Sequence, residues 1–257
     1  MRIYLIKLVV VLLITGCRGT TSEREGNDGV TENVPDQEET LTDYIELFQE
    51  NSLEGWRGDT SYWHIEEGVL TGETNESTPP LQYNTFLIWD EQEFDDFDFI
   101  VEYQISKEGN SGVNYRSDHV PDREYALRGY QADIDGANHY TGQNYEEMKR
   151  TTLAYRGESV IIPASDQGVS EGNAWNPREV LTKDDDEALK ANIHSEWNEL
   201  RILAKDNKLQ HFINGELMAQ VVDEDTEHYM SKGLLGFQIH TGPPMKVKFR
   251  RARVKIL

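Results

Sequence analysis

The sequence predicts an all-β sandwich of the jelly-roll kind, and three observations carry that expectation. Short runs rich in β-branched and aromatic residues dominate the chain from Tyr44 to Leu257. Polar and apolar residues alternate within them, as in Tyr130-Gln131-Ala132-Asp133, which is the period of a strand with one buried face. Turn dipeptides punctuate the runs, and helical periodicity is scarce.

Taken in order, "YWHIEEGVLTGE" reads as two strands around a turn at Glu67-Gly68. "TFLIW" and "DFDFIVEYQIS" follow, the latter setting Phe97, Phe99 and Val101 opposite Asp98, Ile100 and Glu102. "SGVNYRS", "GYQADID" and "TTLAYRG" come next. "NELRILAKDNKLQHFINGELMAQVVD" holds three strands, with turns at Asp206-Asn207 and Asn214-Gly215. "GLLGFQIHTG" and "MKVKFRRARVKIL" close the chain. The one helical pattern is "TKDDDEALKANIH", where Thr182 is placed to cap and acids fill the first turn. It lies in an irregular stretch from Glu158 to Ser195 whose length suggests a binding loop. No internal repeat is visible.

The first segment stands apart from this pattern. "MRIYLIKLVVVLLITGC" joins basic Arg2 and Lys7 to an apolar run and then to Thr15-Gly16-Cys17. That is the architecture of a secretory leader, too short for a membrane-spanning helix. The small residues before Cys17 resemble the lipobox of bacterial lipoproteins, which implies cleavage after residue 16 and lipid on the Cys17 thiol; the alternative is a stray cysteine in a cleaved leader. Cys17 is the only cysteine, so disulfides and cysteine zinc sites are excluded. Residues 17–43 are polar, acidic and without an aromatic ring, the composition of a flexible tether. The expected organisation is a leader over 1–16, a lipidated tether over 17–43 and one domain over 44–257. Membrane contact would be through the lipid alone, on a periplasmic or cell-surface protein.

Formal net charge is −22, from 47 acids against 25 bases. Such a field repels nucleic acid and anionic head groups and favours neutral ligands. Twelve tyrosines, five tryptophans and eight phenylalanines supply rings that can stack on sugars as well as fill a core.

Three of the strands share a chemical character. Asn114 and Arg116 oppose Val113 and Tyr115; Gln131, Asp133 and Asp135 oppose Tyr130, Ala132 and Ile134; Gln238 and His240 oppose Phe237 and Ile239. These polar side chains can fork hydrogen bonds to hydroxyl groups, and if the strands are neighbours they converge on one face as a ligand site. The bland alternative is the wet face of an ordinary sheet. An EF-hand reading of "DIDGANHY" fits poorly: counted from Asp133, Gly136 falls two places early and Asn144 takes the final glutamate's position. Another divalent site, of calcium for instance, on Asp133 or Asp135 remains as an option, and the cofactor is otherwise undetermined. HExxH and P-loop patterns are absent.

Seven motifs in order carry a family resemblance: "LFQENSLEGWRG", "YWHIEEGVLTGE", "NTFLIW", "FDDFDFIVEYQISKEGNSGVNYRS", "GYQADIDG", "WNELRILAKDNKLQHFINGELM" and "LLGFQIHTGPPMKVKFRRARVKIL". Together they resemble the 3-keto-disaccharide hydrolase domain of bacterial lipoproteins and secreted proteins, across Tyr44 to Leu257. The resemblance implies a concanavalin-like or laminin-G-like jelly roll and cleavage of glycosides already oxidised at C3, made by a sugar 3-oxidoreductase.

The substrate's chemistry then sets the requirements. A C3 ketone acidifies the hydrogen on C2, so its removal can expel the C1 substituent by β-elimination before water adds. A base is needed at C2, a positive or hydrogen-bonding group at the enolate oxygen, and an acid at the leaving oxygen. His240 or Asp133 suits the base, and Arg116 and Arg156 suit the enolate, a role a divalent metal could also fill. Asn114, Arg116, Gln131 and Gln238 are the expected substrate contacts. Two other readings stay open: a non-catalytic lectin-like module on the same fold, and a retaining glycosidase using Asp133 and Asp135.

Overall fold

The computed structural model describes residues 43–48, 52–164, 168–171 and 174–257. The expected leader, Cys17 and the tether up to residue 42 lie outside the described residues. Among the described residues no helix is long and apolar enough to cross a membrane.

The chain opens with β1 (Ile45–Glu46), β2 (Trp56–Arg57), β3 (Trp63–Glu66), β4 (Val69–Thr74), β5 (Thr85–Phe94), β6 (Phe97–Ile105) and β7 (Asn110–His119). β8 (Leu127–Asp135), β9 (Asn144–Glu147), β10 (Thr151–Ala154), β11 (Glu158–Ile162), β12 (Val169–Glu171), β13 (Ala174–Asn176) and β14 (Glu179–Lys183) follow. A short helix, α1 (Asp186–Ala191), leads into β15 (Asn198–Lys205), β16 (Lys208–Ile213), β17 (Glu216–Asp223), β18 (Gly233–Ile239) and β19 (Met245–Ile256).

These strands form two sheets. One runs β14-β11-β17-β16-β15-β6-β19-β4-β3, with β1 on β19; the other runs β12-β13-β10-β9-β8-β7-β18-β5-β2. The alternation seen in the sequence decides which side chains enter the space between them. Phe97, Phe99, Val101, Leu200, Ile202 and Phe249 come from the first sheet, and Val113, Tyr115, Tyr130, Ala132, Ile134 and Phe237 from the second. Phe237 and Phe249 stack across the layers with ring centroids 4.2 Å apart. Each such ring or branched chain contributes about 1.5–3 kcal/mol when fully buried. The architecture is the expected jelly-roll sandwich.

Turn chemistry holds as read. Glu67 and Gly68 take φ of 54° and 76°, and Asn214 and Gly215 take 51° and 85°, the paired positive values that tight hairpins need. Two local expectations are corrected. Thr182 does not cap the helix, because its backbone is committed to β14, opposite Ser159 of β11. Asp185 caps instead, its carboxylate accepting from the Glu187 and Ala188 amides. The stretch from Glu158 to Ser195 is not one irregular loop: among its described residues it carries β11 to β14 and α1. β11 lies parallel to β17, with Val160 and Ile162 fully buried. These strands are too short, at three to five residues, for their alternation to stand out.

Candidate active site

β8, β7 and β18 are consecutive in one sheet, so the polar sets of "GYQADID" and "GFQIH" share a face. Gln131 pairs with Asn114 and Asp133 with Gly112 across β7–β8, while Gly236 of β18 pairs with Asn114. Glycine at 112 is what seats Gln131: a Cβ there would lie 2.6 Å from the Gln131 side chain. On this outer face a cleft of about 390 Å³ is lined by Gln131, Asp133, Gln143, Glu147, Asn110 and His240, with Thr152 and the rings of Tyr140, Tyr145 and Tyr155 around them.

Three titratable groups share the cleft. Asp133 is buried, and its oxygens accept from the amides of Gln131 at 2.6 Å and Gln143 at 2.5 Å. Burial pushes its pKa up to about 7 against the opposing pull of those two donors. Glu147 accepts from Asn84 at 3.0 Å and from Gln238 at 3.3 Å. Burial raises its pKa as well, with Asn84, His240 and Gln238 opposing. His240 places Nδ1 2.5 Å from the Thr241 carbonyl oxygen. A carbonyl only accepts, so Nδ1 carries the hydrogen and Nε2 of the neutral ring keeps a lone pair. Gln131 Oε1 and Gln238 Oε1 are buried acceptors without a hydrogen-bond partner. Such atoms are costly to leave unmatched, and Gln131 Oε1, on a side chain that lines the cleft, suits a donor such as a sugar hydroxyl.

A family model described as the 3-keto-alpha-glucoside-1,2-lyase-like domain matches residues 43–255. The chain belongs to that family. A 3-keto-disaccharide hydrolase of Bacteroides thetaiotaomicron is 23% identical over 239 residues, covering 83% of this chain and 78% of the relative. Among solved structures, a protein of Parabacteroides distasonis provisionally described as a glycosyl hydrolase aligns with a TM-score of 0.53 at 21% identity, over 88% of this chain and 99% of that one. A Bacillus subtilis protein with a galectin-like fold aligns with a TM-score of 0.52 at 11% identity, over 82% and 94% of the two chains. At these identities the structures bear on the fold alone.

Within this lyase-like domain the expected site residues divide. His240, Asp133 and Gln131 meet in the cleft. Gln238 is fully buried beside it and reaches it by holding Glu147. Asn114 is fully buried and donates to Ser117 Oγ at 3.2 Å. Arg116 is not on this face. A register shift in β7 after Tyr115 and a φ of 44° at Arg116 turn its side chain away. Its guanidinium donates to the Asp95 and Asp206 carbonyls and pairs with Asp96 at 2.9 Å. Arg156 does not line the cleft either: it donates to the Asn138 and Thr141 carbonyls and pairs with Asp186 at 2.8 Å. Among the described residues no lysine or arginine lines the cleft, so neither Arg116 nor Arg156 is placed to meet an enolate there.

The divalent option turns on Asp133 and Asp135. Asp135 spends its carboxylate on the amides of His139, Tyr140 and Thr141 and on the Thr141 hydroxyl, which folds the loop after β8. Asp133 is held by two amides, and among the described residues no group of three His, Cys, Asp or Glu side chains is arranged to hold a metal ion. The residues that sequence reasoning missed are Glu147, Gln143, Tyr145, Tyr140, Tyr155, Thr152 and Asn110. A signal existed in "NYEE", where Tyr145 and Glu147 alternate as Gln131 and Asp133 do, opposite Asn144 and Glu146.

Proposed function

We propose that this domain cleaves 3-keto-glycosides by β-elimination followed by hydration. The observation that carries the reading is the coexistence in one cleft of an imidazole with a free Nε2 and two carboxyl groups whose pKa burial raises. Burial favours the protonated form of both carboxyl groups, so an acid and a base can stand together in one cleft, which is the pairing that acid–base elimination needs.

His240 Nε2 takes the proton from C2, and the electron pair moves into the C2–C3 bond as the C3 ketone becomes an enolate. Asp133, in its protonated form, donates a hydrogen bond to that oxygen, the role that no cation fills in the cleft. Collapse of the enolate forms the C1–C2 double bond and breaks the C1–O bond, and Glu147 gives its proton to the departing oxygen. Water then adds: Glu147 takes its proton, hydroxide bonds to C1, and the His240 imidazolium returns a proton to C2. The sum is hydrolysis, and both groups end as they began. Gln131 Oε1 and the tyrosine hydroxyls of the cleft are suited to the sugar's hydroxyl groups. The substrate would come from an oxidoreductase acting at C3.

Turnover in heavy water tests the reading. The keto sugar released from a 3-keto-glucoside should carry one deuterium at C2, seen by mass and by NMR, while the unoxidised glucoside stays intact. A C2-deuterated 3-keto-glucoside should also be cleaved more slowly than the protiated one. Absence of both the C2 deuterium and this isotope effect would rule out the elimination, and equal turnover of oxidised and unoxidised sugars would favour direct glycoside displacement. The lipid anchor belongs to the same reading: Cys17→Ser should move the full chain from the membrane fraction to the soluble one.

A further inference from the structure

We propose that the site extends on its leaving-group side to take a saccharide of three rings, with the keto ring at the non-reducing end and a neutral sugar as the third ring. This rests on the function proposed above and deepens it. The cleft does not end at Glu147. That carboxyl group also lines a second hollow of about 210 Å³, together with Asn84, Arg123, Met148 and Tyr83. Tyr83 and Gln82 in turn line a third hollow of about 300 Å³, with Asp59, Tyr62, Glu124 and Tyr125. Shared walls put the three spaces in series.

The order has a chemical meaning. An acid that protonates a glycosidic oxygen must stand between the ring that reacts and the ring that leaves. Glu147 is the carboxyl group common to the first two hollows, so the scissile bond falls there and the leaving ring occupies the second hollow. A further ring then reaches the third across Tyr83.

The walls of this extension are built rather than loose. The Arg123 guanidinium lies 5.5 Å from the Tyr83 ring centroid, and Arg57 lies 5.9 Å from that of Tyr125. The Tyr125 carbonyl accepts from the Phe86 amide at 2.8 Å, which fastens the loop to β5. Tyr62 donates to the Pro79 carbonyl at 3.0 Å. Rings held in this way present flat faces at low entropic cost. The third hollow adds the carboxylates of Asp59 and Glu124 and no basic side chain. Carboxylates accept from hydroxyl groups and repel anions, so the ring in the third hollow is a neutral sugar and not a uronate or a phosphorylated one.

The test uses three glucosides oxidised at C3 of the non-reducing ring, namely a methyl glycoside, a disaccharide and a trisaccharide. For the wild-type domain kcat/KM should rise along that series. Tyr83→Ala should lower it about tenfold more on the trisaccharide than on the methyl glycoside, the scale of one lost aromatic contact. Tyr125→Ala should separate trisaccharide from disaccharide in the same direction. Calorimetric binding of the unoxidised methyl glucoside and trisaccharide to the same proteins separates the extension from the chemistry. Length-dependent binding lost in Tyr83→Ala, without turnover of any keto sugar, would keep the extended groove and sink the catalytic reading. Turnover that ignores length, or variants that weaken all three sugars alike, would overturn the groove.

Discussion

The two faces of β8 and β9 carry similar side chains and do opposite things with them. On the inner face, Glu146 and Tyr130 join Asp223 and Asp225 around the fully buried Arg150. Arg150 pairs with Glu146 at 2.6 Å, with Asp223 at 2.6 Å and with Asp225 at 3.4 Å. One residue along the chain, on the outer face, Glu147 and Gln131 with Asp133 have, among the described residues, no lysine or arginine as a cleft neighbour. Their carboxyl groups are held by the amides of Gln131, Gln143, Asn84 and Gln238. Burial is common to both faces, so burial alone does not mark a reactive group. What differs is the partner. On the inner face the acids meet a guanidinium, whereas on the outer face neutral amides leave burial free to raise the pKa of Asp133 and Glu147.

The largest expected effect breaks the inner face. Arg150→Met leaves Glu146 and Asp223 buried without their cation, and loss of one partner from a buried ion pair costs about 3–5 kcal/mol. Denaturant unfolding should show that loss in the midpoint. A variant as stable as wild type would mean that the inner cluster is not a structural ion-pair network.

The outer face should respond the other way round. Glu147→Gln and His240→Ala should each lower kcat/KM on 3-keto-glycosides by at least ~100-fold, the scale of one acid–base group. Their unfolding midpoints should stay close to wild type, since neither side chain belongs to the apolar core. If Glu147→Gln keeps near wild-type turnover, the leaving oxygen takes its proton elsewhere.

The contrast also shows what could be read in advance. Parity along a strand is a property of neighbouring residues, so the facing of Gln131, Asp133 and His240 was legible, and with it the sandwich and the hairpins. Which strands pair is not local, and the adjacency of β8, β7 and β18 needed the folded chain. Arg116 was misplaced because "NYRS" carries no glycine or asparagine at the residue that turns to positive φ. Glu147 was overlooked for a related reason. "EE" gives one chemical type at two successive positions, and only the fold assigns one to Arg150 and the other to the cleft.

A smaller effect sharpens the comparison through pH. The ordinary pKa of an aspartate is near 3.8 and that of Asp133 is raised to about 7. The native state therefore binds this proton more tightly than the unfolded chain. Its contribution to stability is full below about pH 4 and is lost as pH rises through about 7. In Asp133→Asn that loss is gone, so the wild-type minus variant difference in unfolding free energy should fall between pH 4 and pH 7.5, by an amount on the order of a few kcal/mol at most. A difference that stays flat across that range would mean that Asp133 is ionised throughout, and its part as a donor to the enolate would fail.

The smallest expected effect concerns Arg156, which lies between the two regimes. Its guanidinium is buried and paired like Arg150, but with a single half-exposed carboxylate, Asp186, and two backbone carbonyls. Those carbonyls belong to Asn138 and Thr141, which flank Tyr140 at the rim of the cleft. The side chain thus fastens the loop that Asp135 also gathers, and touches no reacting atom. Arg156→Lys should keep part of the carbonyl contact; Arg156→Ala should remove all of it at a cost of about 1–3 kcal/mol for the buried carbonyls left unmatched. With the chemistry untouched and the rim loosened, KM should rise by about threefold to tenfold while kcat changes by less than about twofold. A fall in kcat comparable to that of His240→Ala, with KM unchanged, would return Arg156 to the reacting centre and would require the loop to close further over bound sugar than its present hydrogen bonds allow.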